Sequence, residues 1–146
     1  MTGRAMADLL RAKWLMRVPI TLYRWGLGSL LGTRFVLIEH VGRVSGQRRE
    51  VVVEVIERGP DTLYVASGWG TRSQWYRNLK ANGIARLSTG RARHVPAQVT
   101  LLSADDGDAV LARYAQQHPR AWKTLSAAME RLGTTRIPVI CFTPPR

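Results

Sequence analysis

A single cysteine stands among the 146 residues, and that scarcity removes two function classes at once. Cys141 can close no internal disulfide and has no CxxC companion, so neither a disulfide scaffold nor a cysteine metal site is available. Its setting, the apolar run Ile137-Pro138-Val139-Ile140-Cys141-Phe142, predicts a buried structural thiol. Histidine is nearly as scarce. His94 and His118 have no acidic or cysteine neighbours at ligand spacing, so no metal is expected. His40 shares strand alternation with Ile38, which predicts a structural or supporting role.

Long hydrophobic runs are missing too. Residues 1–33 are basic and apolar, but Arg11, Lys13, Arg17 and Arg24 interrupt each stretch before it reaches the length of a signal core or a membrane span. The expected location is therefore cytoplasmic. The GxGxxG dinucleotide pattern and the GxxxxGK[ST] phosphate loop are absent. Ser67, in Ala66-Ser67-Gly68-Trp69-Gly70, does not fit the GxSxG hydrolase elbow, because Ala66 stands before it and the parallel α/β context is lacking. There is no internal repeat, low-complexity tract or linker, and the length suits one compact core.

Acidic residues are few: 10 against 22 basic ones, for a net charge of +12. Such an excess favours nucleic acid, an anionic membrane surface or a multiply anionic small molecule. Nucleic acid is disfavoured, because no recognition-helix or RNA-binding signature appears and the basic residues are spread along the chain.

Read in order, residues 1–33 form a basic amphipathic helical segment, one helix over Ala5–Met16 and a second over Ile20–Leu31 with Pro19 at its start. This segment packs on the following domain or on a second subunit, as in a homodimer; a peripheral membrane contact is its alternative role. Residues 34–146 form the main domain. Strands are expected over Arg34–Val41, Arg48–Glu57 and Leu63–Ser67, joined by the turns Gly42–Gln47 and Gly59–Asp61. Ser73 is the expected N-cap of a helix that ends at Asn82-Gly83. A hairpin follows, Ile84–Ser88 and Arg91–Leu102, with Pro96 at an edge or a bulge. Ser103 caps a helix to Gln117, His118-Pro119 interrupts, and a further helix covers Ala121–Leu132. The strand Ile137–Phe142 closes the chain. An antiparallel meander of this kind predicts an α+β fold, a small closed or split β-barrel with helices packed outside.

Two stretches carry chemistry. The Gly42–Arg49 turn combines glycines that free backbone N–H groups, the hydroxyl of Ser45, and the guanidinium groups of Arg43, Arg48 and Arg49, which suit phosphate or carboxylate. The second runs from Leu63 to Gly83, a strand that breaks at glycines and restarts as a helix. Trp69, between two glycines, is the expected ligand-facing aromatic, whereas Tyr76 and Trp122 are expected in the core.

The ordered segments GRVSGQRR (Gly42–Arg49), YVASG (Tyr64–Gly68), SQWYRNLKAN (Ser73–Asn82), YAQQHP (Tyr114–Pro119) and RIPV (Arg136–Val139) resemble the deazaflavin-dependent nitroreductase family over about residues 33–143. Members are split β-barrels related to FMN-binding pyridoxamine-oxidase-like barrels and use coenzyme F420, whose phosphate and oligoglutamate tail would account for the basic balance. The resemblance implies that Arg43, Ser45, Gly46, Gln47 and Arg49 line the phosphate and tail path. It implies that Ala66, Ser67 and Gly68 run beside the ring, with Trp75 packed near it and Gln74 and Asn78 completing the pocket. The implied reaction is hydride transfer from reduced F420 to an electron-poor hydrophobic or aromatic small molecule: an activated alkene, a quinone or a nitroaromatic. Ser67 and Tyr114 are the candidate proton donors. FMN is the alternative cofactor, and a repurposed barrel that binds a lipid or haem is the alternative function. Val44 departs from the family pattern, which often has a basic residue there; Arg48 or Arg72 offers compensation. The tyrosines that relatives carry before the last strand are also missing between Leu125 and Thr135.

Overall fold

A computed structural model describes residues 33–67, 70–131 and 137–145. The expected N-terminal helices, Gly68 and Trp69 therefore lie outside the described residues. Six strands, β1 (Phe35–Val41), β2 (Arg48–Arg58), β3 (Leu63–Ala66), β4 (Ile84–Thr89), β5 (Ala92–Leu101) and β6 (Val139–Thr143), alternate with α1 (Gln74–Asn82), α2 (Ala104–Gln117) and α3 (Pro119–Arg131). All pairings are antiparallel, and the barrel closes in the order β1-β2-β3-β6-β5-β4.

Strand alternation divides the side chains between two packed layers. Val36 and Ile38 of β1, Val53 of β2, Leu63 and Val65 of β3, and Ile140 and Phe142 of β6 fill the barrel. One turn of α1 adds Trp75, Tyr76 and Leu79 to the same cluster, so this helix plugs the barrel rather than lying on its wall. On the outside, Ile56 and Val139 meet Val110, Leu111 and Tyr114 of α2, with Trp122 and Leu125 of α3 packed against them. Tyr76 and Trp122 are thus packed in or against a core, as their spacing predicts. Cys141 is buried, and burial pushes its thiol pKa up.

Two bulges bend the sheet. On β2 the register shifts between Val55 and Glu57, so that Glu57 pairs with Tyr64. On the β4–β5 hairpin it shifts between Leu87 and Thr89, where His94 adopts φ 54° and donates its backbone N–H to Ser88 Oγ at 3.0 Å. Pro96 sits beside this bulge opposite Arg86, in a stretch where β4 is the pairing partner, since pairing with β6 begins at Gln98. A residue without an N–H fits there.

Some element ends differ from expectation. Pro119 is the first residue of α3, and His118 is the C-cap of α2, so the His-Pro pair is a junction between two helices that meet there. Ser103 caps α2 as expected, accepting from the Asp106 N–H at 3.2 Å. Ser73 occupies the N-cap position of α1, but its hydroxyl makes no cap bond. It bonds the Ser67 hydroxyl at 3.0 Å instead. The last strand starts at Val139, two residues later than Ile137, although Ile137 is itself buried.

Candidate functional site

The Gly42–Gln47 turn is a closed hydrogen-bonded unit. Gly42 N–H donates to Gln47 O at 2.8 Å, Gly46 N–H to Gly42 O at 2.9 Å, and Gln47 N–H to Ser45 Oγ at 3.2 Å. Arg43 N–H is also taken, by Asn78 Oδ1 at 3.0 Å. The expectation that glycine frees backbone donors for an anion is thereby corrected: three of the turn's N–H groups are spent on building the turn and a fourth on Asn78. Gly46 is required for its φ of +69°, and a Cβ at Gly42 would lie 2.5 Å from Ser45 Oγ. What the turn offers an anion is side chains, the exposed guanidinium groups of Arg43, Arg48 and Arg49. That donor set fits phosphate and carboxylate oxygens, which guanidinium binds bidentately.

Alternation separates those arginines. Arg49 pairs with His40 and shares its side of the hairpin, whereas Arg48 pairs with Val41 on the side of Glu39. Arg48 Nη1 lies 3.7 Å from Glu39 Oε1, and His94 Nδ1 lies 2.7 Å from Glu39 Oε2, so the buried Glu39 carboxylate is held by two basic groups. Arg48 thus faces Glu39 while its side chain stays largely exposed. Arg72, the other expected substitute for a basic residue at position 44, is exposed in the short 3-10 turn Gly70–Arg72. Val44 projects from the hairpin tip at 92% exposure.

The hairpin is clasped to α1. Asn78, 4% exposed, accepts from both Arg43 N–H and Arg43 Nη1, the latter at 2.9 Å. The amide nitrogen of Asn78 meets His40 Nδ1 at 3.1 Å. Asn82 Nδ2 donates to Val41 O at 2.8 Å one turn further on. Burial, assisted by the nearby Arg49 charge, lowers the His40 pKa from 6.5 to about 4, so this imidazole is neutral at physiological pH. Asn78 is therefore the anchor of Arg43.

The expected ring wall is built from β3 and the start of α1. Ala66 packs outward with the α2–α3 cluster, and Ser67, fully buried, turns inward. Ser67 N–H donates to Pro138 O at 3.0 Å and its hydroxyl pairs with Ser73, so both groups are engaged within the protein. Gln74 is exposed at the first turn of α1, and Trp75 is buried in the barrel cluster. Tyr114 belongs to a different neighbourhood. It is 3% exposed on α2, its hydroxyl donates to Glu54 Oε1 at 3.2 Å, and its ring lies 5.2 Å from that of His118. Burial and the Glu54 carboxylate push its pKa up to about 12. Tyr114, His118 and Glu54 border a groove of about 1050 Å³ between β2 and the α2–α3 junction. Of the two candidate proton donors, Tyr114 lines this groove and Ser67 is fully buried.

Reading residues one at a time missed the His40–Asn78 pair and the Glu39–His94 pair. Alternation put His40 on the Ile38 side, and that was the available signal for the first. The second depends on a bulge between strands distant in sequence.

Among the described residues, a closed six-stranded antiparallel barrel is plugged by one helix and flanked by two, which is the architecture of a split β-barrel. A family model described as F420H(2)-dependent quinone reductase matches residues 16–144. The chain belongs to this family, which makes it an F420H2-dependent reductase with F420 as cofactor. The match begins inside the N-terminal segment, upstream of the span on which the resemblance rested. No curated protein matches the sequence. Among solved structures, one described as F420-H2 dependent reductase (FDR-A) is 19% identical, with a TM-score of 0.55 over 75% of this chain and 93% of the other. Another, described as a domain-swapped dimer, is 19% identical with a TM-score of 0.58 over 85% and 98%. A pyridoxamine 5'-phosphate oxidase-related, FMN-binding protein from Nostoc punctiforme is 16% identical with a TM-score of 0.54 over 88% and 78%. These likenesses establish the fold.

Proposed function

We propose that the protein seats the phosphate and oligoglutamate tail of F420 on the Gly42–Arg49 turn, with the deazaflavin ring along Ala66–Gly68, and reduces an electron-poor small molecule. Quinones come first among acceptors because of the family's description, with activated alkenes and nitroaromatics as the other members of the class. The observation that carries the reading is the pair Arg43 and Arg49. Arg43 is held on Asn78, and Arg49 lies on the same side of the hairpin as the His40 that bonds Asn78.

When bound, the reduced deazaflavin supplies a hydride. The protein's share is to bind and orient. Arg43 and Arg49 hold the anionic end, with Ser45 and Gln47 at the turn beside them. The Ser67–Ser73 bond fixes the β3–α1 junction, so that the backbone at Ala66 and Ser67 is a rigid edge rather than a source of free donors. Trp75 supports that edge from inside the barrel. A proton for the reduced acceptor comes from solvent or from one of the candidate hydroxyls, Ser67 and Tyr114, each of which would first leave its partner, Ser73 or Glu54.

The test is direct. Quenching of F420 fluorescence on titration with the protein reads cofactor binding, and oxidation of F420H2 in the presence of a soluble quinone, a nitroaromatic and an activated alkene reads the acceptor class. Binding at micromolar F420 is the expected outcome. Its absence would favour the second reading, a repurposed barrel for a lipid, haem or flavin, for which the solvent-exposed Val44 is the supporting observation. A yellow preparation would mark FMN. The domain-swapped relative supports asking for a homodimer by light scattering. Sedimentation with anionic vesicles tests a membrane contact through residues 1–33, and no helix among the described residues is long and apolar enough to cross a membrane.

A further inference from the structure

The contact between His40 and Asn78 has a direction that elementary hydrogen-bond chemistry dictates. A backbone N–H can only donate, so the Asn78 atom facing Arg43 N–H at 3.0 Å must be the carbonyl oxygen, and Arg43 Nη1, also only a donor, meets the same oxygen at 2.9 Å. The other end of the amide, 3.1 Å from His40 Nδ1, is then the NH2 group. An NH2 group can only donate. His40 Nδ1 must therefore be the acceptor, and the ring proton sits on Nε2.

We propose that His40 is a positioning residue for the anion seat: as the Nε2–H tautomer it accepts from Asn78 and thereby selects the amide orientation in which Asn78 Oδ1 holds Arg43. With the amide flipped, its NH2 would face two donors of Arg43, and its oxygen would face the lone pair of His40 Nδ1. An imidazolium would reverse the preference, because a protonated Nδ1 would attract the oxygen away from Arg43. Desolvation and the neighbouring Arg49 keep the ring neutral. One oxygen thus holds both the backbone and the head of Arg43, which immobilises a long side chain before any ligand arrives and lowers the ordering cost of binding. Asn78 takes one of the five N–H donors of the guanidinium, so the group keeps donors for an anion.

This inference rests on the proposed function only for the identity of the ligand. Two measurements separate them. In the free protein, 15N NMR of labelled histidine is expected to show an unprotonated Nδ1 on His40 at neutral pH; a proton on Nδ1 would overturn the proposal. For binding, His40→Phe keeps the ring volume and removes the acceptor, whereas His40→Gln keeps an acceptor. His40→Phe is expected to weaken F420 binding about tenfold, the scale of one hydrogen bond. Binding of a ring-only deazaflavin without phosphate or tail should be unchanged, and His40→Gln should stay within about twofold of the wild type. Equal F420 affinity in wild type and His40→Phe would sink the idea. Should the wild type not bind F420, the functional reading fails, and the relay is still tested by hydrogen exchange at the Arg43 amide, expected to quicken in His40→Phe. Unchanged protection there would overturn it. If His40→Phe does not fold, Asn78→Asp takes its place. It retains an acceptor for Arg43 and should move the His40 proton to Nδ1 in the 15N spectrum of the free protein; an unmoved proton counts against the relay.

Discussion

Arg43 and Arg49 serve the same anion in this reading but are placed by different means. Arg43 is tethered by Asn78, while Arg49 is placed by its register opposite His40. Arg49→Ala should weaken F420 binding by about 1–3 kcal/mol, the range for a lost charge-assisted bond. Fluorescence titration reads it, and an unchanged affinity would move the tail site off this turn. The buried His40 gives a second prediction at the same scale. Its folded-state pKa of about 4 lies below the ordinary 6.5, so the unfolded chain takes up the proton first as pH falls. The stability that depends on neutral His40 is therefore complete above pH 6.5, declines as pH drops from there towards 4, and loses nothing further below that. The whole loss is on the order of 3 kcal/mol. Urea denaturation midpoints at several pH values should fall across this window in the wild type and stay flatter in His40→Gln; parallel slopes in the two proteins would refute the assignment.

Among elements, the helix ends show what local sequence can and cannot encode. Gly83 was legible as the stop of α1 because a left-handed C′ residue is a local requirement, and it adopts φ 70° with its N–H on Leu79 O at 2.8 Å. A Cβ there would meet nothing within 4 Å, so Gly83→Ala costs only its strained backbone, about 1 kcal/mol. Gly107 is the opposite case. It lies inside α2 at ordinary φ, and an added Cβ would touch Val139 Cγ2 at 3.4 Å, an ordinary contact. Gly107→Ala should raise stability by up to about 1 kcal/mol through helix propensity. Thermal melts of the pair should move in opposite directions; a drop for Gly107→Ala would show that α2 packs on β6 too tightly to admit a methyl group. The Ser73 side chain departs from its expected capping role because local sequence does not encode a distant partner. Ser73 has the right residue type and position for a cap, but a nonlocal partner, Ser67, claims its hydroxyl. The Glu39–His94 pair was hidden likewise: β1 and β5 lie on opposite sides of β4, and a bulge that no local pattern announces brings the two side chains together.

For the molecule as a whole, alternation and turn chemistry carried most of the architecture. The strands, their antiparallel sense and the basic turn are all legible in the sequence. The closure order was not, because β3 pairs with β6 and β1 with β4 across long stretches of chain, and such pairings follow from which faces remain to be buried once the hairpins have formed. The net charge of +12 is the other global property, and it makes a prediction that no single residue makes. If the excess serves a polyanionic cofactor, the attraction acts partly at a distance and must weaken as the Debye length shrinks from about 30 Å at 0.01 M salt to about 10 Å at 0.1 M. The Kd for F420 should rise steadily over that range, whereas a ring-only deazaflavin, which lacks the phosphate and the carboxylates, should bind with nearly constant affinity. Comparing the two ligands matters because general salt effects on the fold would move both. Salt sensitivity shared equally by F420 and the ring-only ligand would mean that the charge does not act through the tail. The basic balance would then need another partner, with an anionic surface met by residues 1–33 the first to examine.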